Sequence, residues 1–166
     1  MKVYDCFMYF DEDLVLDLRL NLLDKYVDYF VIVESKYNHK GESKKLNFNI
    51  QNYKKFEKKI IYLVFDQEPS DLYKFEKKDT QADISSKYIF NAGKRENGQR
   101  NFISRGLKDA KSDDIIIISD VDEIPNLAGI NFNTIKNEII IFRHEMFYYK
   151  FNLKLPNYKW TGSKAC

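Results

Sequence analysis

Short apolar runs alternate with segments of helical spacing along most of the chain. Four runs have the length and composition of buried strands, and they cover residues 3–10, 29–35, 60–65 and 115–118. This alternation predicts an α/β fold in which strand–helix–strand units build one mainly parallel sheet. We therefore expect the carboxyl ends of the strands to bring four residues to one edge of the sheet: Phe10, Glu34, Asp66 and Asp120.

Helical spacing predicts the elements between these strands. The first helix is predicted over 14–26, with a stripe at four-residue steps facing the core: Leu14, Leu18, Leu22 and Tyr26, widened by Val15 and Leu23. A short helix is predicted over 50–58. A further helical pattern begins near Ala82, is interrupted between Gly93 and Gly98, and resumes over 99–110. Near the end of the chain, residues 138–151 predict either one long bent strand or two strands.

Length and composition indicate a single folded domain over 1–166. A chain of 166 residues with 44% hydrophobic and 16% aromatic residues can bury a core, which excludes a disordered protein. The 27 Lys and Arg nearly balance the 25 Asp and Glu, so nucleic acid or an anionic membrane is not expected as the main partner.

The termini and cysteines point to a cytoplasmic protein. Asp5 interrupts the first apolar run, which excludes a signal peptide, and no run reaches the length of a transmembrane segment. Cys6 and Cys166 match neither a disulfide framework nor a zinc motif, as expected in a reducing compartment.

The most informative stretch is DIIIISDVDEIPN, residues 114–126. Asp120 and Asp122 follow the most apolar strand, and alternation directs both to one side while Val121 faces the core. Two hard oxygen ligands at this spacing suit Mn²⁺ or Mg²⁺. The alternative is a solvated turn with an acidic helix start, because Asp-x-Asp alone has low specificity. The buried strand before the motif and the Glu-Ile-Pro after it favour the metal site.

Two further features are predicted to meet the carboxylates at this edge. Glu34 ends a strand where it can accept from a ribose or base, although a plain surface carboxylate is the alternative. RENGQRN, residues 95–101, is predicted to begin a helix whose N-terminus favours phosphate, with Arg100 adding charge. The alternative is an ordinary capped helix in which Arg100 pairs with an acid.

Other side chains have less specific expectations. Arg19 is predicted to pair with Asp28 or Glu12. Lys44 is predicted to lie in a solvated loop. Three aromatic residues are candidates either for stacking on a sugar or for core packing: Tyr148, Tyr149 and Trp160.

The ordered set of sequence blocks resembles glycosyltransferase family 17. The blocks are VYDCFMYFDED, LRLNLL, VDYFVIVES, the Gly41–Lys44–Leu46–Phe48 spacing, RENGQRN and IIIISDVDEIPN. The resemblance extends from Val3 to about Gly162. This family contains the β-1,4-mannosyl-glycoprotein 4-β-N-acetylglucosaminyltransferases.

The resemblance implies a GT-A type, Rossmann-like fold, a UDP-sugar donor, Mn²⁺ or Mg²⁺, and inverting transfer of N-acetylglucosamine to a saccharide acceptor. It implies that Asp120 and Asp122 bind the metal, with Asp120 also contacting the donor. The other residues that it implies in donor or nucleotide binding are Tyr4, Asp5, Glu34, Arg100 and Asn101. The general base is not identified, and Glu123 is its candidate.

In the family the sequence pattern continues beyond the position of Cys166, and animal members carry a membrane anchor. We therefore expect this chain to bind the donor better than it transfers sugar, and to form homodimers through exposed aromatic side chains: Phe147, Tyr149, Phe151 and Trp160. The alternatives are a non-catalytic nucleotide-sugar-binding fragment and a metal-dependent nucleotidyl- or phosphotransferase.

Overall fold

The computed structural model describes residues 1–135, 138–150 and 152–166. Two α-helices are present in this part of the chain, α1 (Asp13–Leu23) and α2 (Gln81–Phe102). Short 3₁₀ segments cover Ile50–Phe56, Ile103–Gly106 and Phe132–Thr134. The strands are β1 (Val3–Tyr9), β2 (Tyr29–Ser35), β3 (Ile60–Phe65), β4 (Ile115–Asp120), β5 (Ile140–Ile141), β6 (His144–Phe147), β7 (Lys154–Trp160) and β8 (Lys164–Ala165).

Six strands form the central sheet, in the order β3-β2-β1-β4-β8-β5. The first four are parallel, and β8 runs antiparallel to both of its neighbours. Tyr9 lies opposite Glu34, and Met8 lies opposite Asp120, so β1, β2 and β4 end at the same edge. The mainly parallel α/β sheet and the common edge are therefore confirmed.

Helices cover both faces of the sheet. Leu16 and Leu20 of α1 pack with Phe7 in the larger cluster of buried residues. On the opposite face, Ile103 and the last residues of α2 pack on a second cluster that contains Phe65. This two-sided burial explains why the β1 and β2 sequences are apolar at nearly every position.

The predicted buried stripe of α1 is wrong at its three leucines spaced by four residues, whereas Val15, Leu23 and Tyr26 do pack on the core as predicted. Leu14, Leu18 and Leu22 are exposed, and the helix ends at Leu23, before Tyr26. The residues that face the core are Leu16, Arg19, Leu20 and Leu23. Leucines recur at both sets of positions, so spacing alone does not fix the rotation of the helix. The buried ion pair of Arg19 described below does fix it.

The predicted interruption between Gly93 and Gly98 is also wrong. The helix α2 is continuous over 22 residues and begins at a capping box between Thr80 and Asp83. A Cβ on Gly98 would lie 3.0 Å from the Phe65 ring, so this glycine permits close packing of helix on sheet. Residues 95–101 consequently end a helix, and the predicted helix N-terminus at Arg95 does not exist.

The C-terminal segment contributes short strands to two sheets. Within the predicted strand region of 138–151, β5 joins the central sheet and β6 pairs with β7 in a separate antiparallel ribbon. Phe151 lies outside the described residues. The β8 strand enters the central sheet between β4 and β5. No helix in the described ranges has the length and hydropathy to cross a membrane.

Candidate active site

A tight turn begins at Asp120, the last residue of β4, and contains the three carboxylates of the DVDE sequence. The Glu123 amide donates to the Asp120 carbonyl at 3.0 Å, and the Asp120 amide donates to Glu123 Oε2 at 2.9 Å. Val121 is buried, as predicted, whereas Asp122 is exposed. The turn therefore anchors one residue in the core and presents Asp122 to solvent at the carboxyl edge of the sheet.

Arg19 lies fully buried beneath this turn. Its guanidinium donates to both carboxylate oxygens of Asp5, at 2.6 and 2.8 Å, and to Ser119 Oγ at 2.6 Å. The same group donates to the carbonyl oxygens of Asp120 at 2.8 Å, Val121 at 3.1 Å and Glu123 at 3.3 Å. Arg19 thus fixes the backbone that presents the carboxylates.

The predicted partners of Arg19 are corrected by this arrangement. Asp28 accepts from the Val3 amide, and Glu12 accepts from the amides that precede α1. A signal was present in the sequence, since an aspartate inside an apolar strand needs a buried partner. The pairing itself joins distant segments and does not follow from local spacing.

Asp122 lies among acidic groups. Partial burial raises its pKa, and the nearby charges of Glu123, Asp120 and Glu12 raise it further, while its own backbone amide acts in the opposite direction. Asp120 has a cationic neighbour, because Arg100 donates to Asp120 Oδ1 at 3.0 Å. Within the described part of the chain, no side chain forms an ion pair with Asp122.

Glu123 is held by several neighbouring groups. Trp160 Nε1 donates to Glu123 Oε1, and the Asp120 amide binds the other carboxylate oxygen. Ser163 Oγ donates to the Glu123 carbonyl at 2.8 Å. A Cβ on Gly162 would overlap the Glu123 carboxylate, so only glycine leaves room for it there. Glu123 thus connects the carboxylate turn to the C-terminal strands.

Replacing Gly162 with alanine is therefore expected to expel the Glu123 carboxylate from its position. The loss of its hydrogen bonds should lower the free energy of unfolding by about 1–2 kcal/mol and change Trp160 fluorescence. Gly93→Ala is the matched control, because no atom lies within 4 Å of its Cβ and alanine favours helices. Urea unfolding would contradict this packing if Gly162→Ala were as stable as the wild type.

His144 reaches the same turn from β6. Its Nε2 lies 2.9 Å from Ser163 Oγ, and Ser163 is fully buried. Burial lowers the pKa of His144, the Glu123 and Asp122 charges act in the opposite direction, and Arg19 lowers it further. No sequence signal marked His144, because its segment was predicted only as a strand and its partners come from other segments.

Other predicted site residues lie outside the carboxylate turn. Tyr4 lies near the amino end of β1, opposite Ile116, and stacks on Tyr29 at 5.0 Å between ring centroids. Asn101 is exposed on the last turn of α2. Glu34 is fully buried at the carboxyl edge. Asp5 is fully buried and contacts Arg19 through both carboxylate oxygens.

Glu34 is satisfied by groups of the protein. Lys44 Nζ donates to it at 2.5 Å, the Tyr62 hydroxyl at 2.8 Å, and the amides of Asn47 and Phe48 at 2.8 and 3.1 Å. Lys44 is therefore a partner of a buried carboxylate and does not lie in a solvated loop as predicted. Through these bonds, Glu34 anchors the segment that follows β2.

A small cleft opens at the carboxyl edge of the sheet, between the ends of β1 and β2 and the last turns of α2. Its lining includes Phe10, Ser35, Asn38, Arg95 and Gln99. The cleft therefore lies at the carboxyl edge of the parallel sheet, where Glu96 and Gln99 of α2 also line it. Such grooves are where open α/β sheets bind ligands.

The family comparison decides what kind of protein carries this site. The sequence profile described as Glycosyltransferase family 17 matches residues 1–165. The chain belongs to glycosyltransferase family 17. Membership in family 17 implies a glycosyltransferase with sugar substrates, and the resemblance found in the sequence is confirmed. No curated protein and no solved structure matches this family 17 chain.

Proposed function

We propose that this family 17 chain is a metal-dependent glycosyltransferase of the GT-A type. It transfers N-acetylglucosamine from a UDP-linked donor to a saccharide acceptor with inversion. The observation that carries the proposal is the carboxylate turn itself. Asp120 and Asp122 follow a buried parallel strand, next to Arg100, in a chain that matches the family over 1–165.

The residues of the turn fit a divalent cation. Asp122 has three acidic neighbours that raise its pKa, and a nearby cation would offset this repulsion. In the described ranges, no three His, Cys, Asp or Glu side chains form a group that could hold a metal. Asp120 and Asp122 would therefore share Mn²⁺ or Mg²⁺ with donor phosphates and water, as these ions commonly bind. A cation held by these residues would stabilise the negative charge of the leaving diphosphate.

Arg100 is the cationic side chain best situated for the diphosphate. It already binds Asp120 Oδ1 and Glu96 Oε1 and remains partly exposed, so it can exchange a carboxylate for a phosphate oxygen. Arg100 belongs to the last turns of α2, which is the negative end of the helix dipole. The dipole therefore does not help to bind the diphosphate, and the charge of the Arg100 side chain has to do so. The adjacent cleft beside Phe10 and Gln99 is the proposed site of the nucleoside.

The predicted nucleotide role of Asp5 and Glu34 is proposed to be indirect. Asp5 orients Arg19, which holds the carboxylate turn, and Glu34 anchors the segment after β2. Both carboxylates already accept from protein donors. Nucleotide binding by Tyr4 stays a prediction. Its position near the amino end of β1 does not favour that role.

The β6–β7 ribbon is the proposed acceptor side. Tyr148, Tyr149 and Trp160 are exposed on it or beside it, and Trp160 is held against Glu123. Exposed aromatic rings offer flat apolar faces with polar rims. We propose that an acceptor sugar stacks on these rings next to the carboxylate turn.

The test is calorimetry of UDP-N-acetylglucosamine binding with and without Mn²⁺. We expect Mn²⁺-dependent binding in the wild type and a loss of at least about tenfold in Asp122→Asn, because a neutral amide is a poorer ligand for a hard cation. Asp109→Asn is the matched control, since Asp109 is an exposed carboxylate in the segment before β4. Equal Mn²⁺-dependent binding by both variants would overturn the metal assignment.

Transfer is then measured with mannose-terminated acceptors. Acceptor-dependent product supports the proposed enzyme. Donor binding without any transfer or donor hydrolysis would instead identify a nucleotide-sugar-binding fragment. Cleavage within the diphosphate, with no transfer of sugar, would identify a nucleotidyl- or phosphotransferase.

A further inference from the structure

The protonation of the His144 ring follows from the hydrogen bonds of Ser163. A serine hydroxyl has one proton, and Ser163 Oγ donates it to the Glu123 carbonyl, which can only accept. The Ser163 oxygen must therefore accept from His144 Nε2, 2.9 Å away. Neutral imidazole carries one proton, so a proton on Nε2 leaves Nδ1 with a free lone pair.

His144 is held on the acceptor side of the carboxylate turn. It lies opposite Trp160 in the β6–β7 pairing, and the Trp160 indole binds Glu123. The charged groups that act on the ring are Glu123, Asp122 and Arg19. Within the described residues, no side chain or amide hydrogen-bonds to Nδ1. The ring is thus fixed through one nitrogen, and its other nitrogen can accept a proton.

We propose that His144 Nδ1 is the general base of the transfer, an assignment that rests on the proposed function. The acceptor hydroxyl oxygen bonds to the anomeric carbon of the donor sugar, and its proton passes to Nδ1. The bond from the anomeric carbon to the diphosphate oxygen breaks, and its electron pair leaves with the nucleoside diphosphate. The proton on His144 then passes to solvent.

Two neighbouring residues have different roles in this assignment. Ser163 is a positioning residue, since it acts by fixing the tautomer and the orientation of the ring. Glu123 is less suited to the role of base, because both of its carboxylate oxygens already accept hydrogen bonds. The sequence-based candidate Glu123 thus supports the base through its backbone carbonyl.

Nitrogen NMR tests the tautomer without any need for activity. The chain contains only two histidines, so His39→Gln leaves His144 as the single imidazole in the protein. In ¹⁵N-labelled His39→Gln at neutral pH, we expect the Nε2-protonated form. Adding Ser163→Ala should shift the ring towards a mixture of tautomers. A ring protonated on Nδ1, or one whose tautomer does not respond to Ser163→Ala, would overturn the proposal.

Kinetics of His144→Gln test the catalytic role. We expect kcat to fall by about 10²- to 10⁴-fold, the usual contribution of a general base, while Mn²⁺-dependent affinity for the UDP-sugar stays at the wild-type value. Asp109→Asn, at an exposed position in the segment before β4, should leave both quantities unchanged. Wild-type kcat in His144→Gln would overturn the role of the base.

A further outcome separates this proposal from the proposed function. A joint loss of donor affinity and transfer in His144→Gln would indicate a structural role and would also overturn the assignment as a base. Absence of transfer by the wild type would overturn the proposed function, and the role of His144 with it, even where NMR finds the expected tautomer.

Discussion

Replacing Arg19 with methionine is expected to lower the free energy of unfolding by about 3–5 kcal/mol, because the substitution leaves one partner of a buried ion pair without its counter-charge. The Asp5 carboxylate is 0% exposed and has both oxygens bound by Arg19. Methionine also leaves the inward-facing carbonyls of the carboxylate turn without their donor. Urea unfolding followed by circular dichroism measures the change.

Arg105→Met is the matched control for this substitution. Arg105 is exposed in the 3₁₀ segment after α2, and a surface replacement of this kind typically changes stability by less than about 0.5 kcal/mol. A stability of Arg19→Met within 1 kcal/mol of the wild type, with m-values unchanged, would contradict the buried pair.

The second large effect is expected at Glu34. Glu34→Gln removes the buried negative charge that faces Lys44. It also places an NH₂ group, which donates hydrogen bonds, among four groups that already donate to this position. Lys44 is largely buried, with a side chain 12% exposed, so its unpaired ammonium is costly. We expect a loss of about 3 kcal/mol, at the lower end for a broken buried pair.

Glu57→Gln makes the same chemical change at an exposed position beside the 3₁₀ segment Ile50–Phe56. It should unfold at the wild-type urea concentration. Hydrogen exchange adds a local measurement, because the amides of Asn47 and Phe48 bind Glu34 and should lose protection in Glu34→Gln alone. Retained protection of both amides would show that Glu34 does not anchor this segment.

The carboxyl edge was predictable because it follows from a general rule. Parallel strands that alternate with helices end at one edge of a sheet, so Glu34 and Asp120 had to meet there. The burial of Val121 follows from strand alternation in the same way. Local sequence was sufficient for these features because each depends on one strand and its direction.

The missed features depend on contacts between distant segments. Leucines at alternate positions allow two rotations of α1, and the choice between them is made by Asp5, which lies fourteen residues before Arg19. Gly98 lies within the continuous helix α2 where the Phe65 ring, which lies on another element, leaves little room for a side chain. His144 and Ser163 acquire a possible role only where β6 and β8 meet the turn after β4. Local propensity contains none of this information.

The C-terminal aromatic residues were predicted to be exposed, and this is confirmed where the chain is described. Phe147 and Trp160 are each more than two-fifths exposed, and Tyr149 is 98% exposed. The homodimer expected from this surface stays a prediction. If acceptor sugars stack on the same rings, dimer formation and acceptor binding would compete for them.

The pairing of β8 with β4 also determines which part of the site is lost first when the structure opens locally. β1 pairs with β4 over six residues, whereas β8 and the adjoining Cys166 pair with β4 over the three residues Ile116, Ile117 and Ile118. The carboxylate turn is thus ordered by an extensive parallel core, while Ser163 and the ring that it holds depend on a short and distant pairing. Segments held by few interactions open at lower free energies than the core. The donor side of the site should consequently stay folded during local openings that break the hydrogen bond between His144 and Ser163. During such openings the chain would keep the sugar donor bound but could not transfer the sugar.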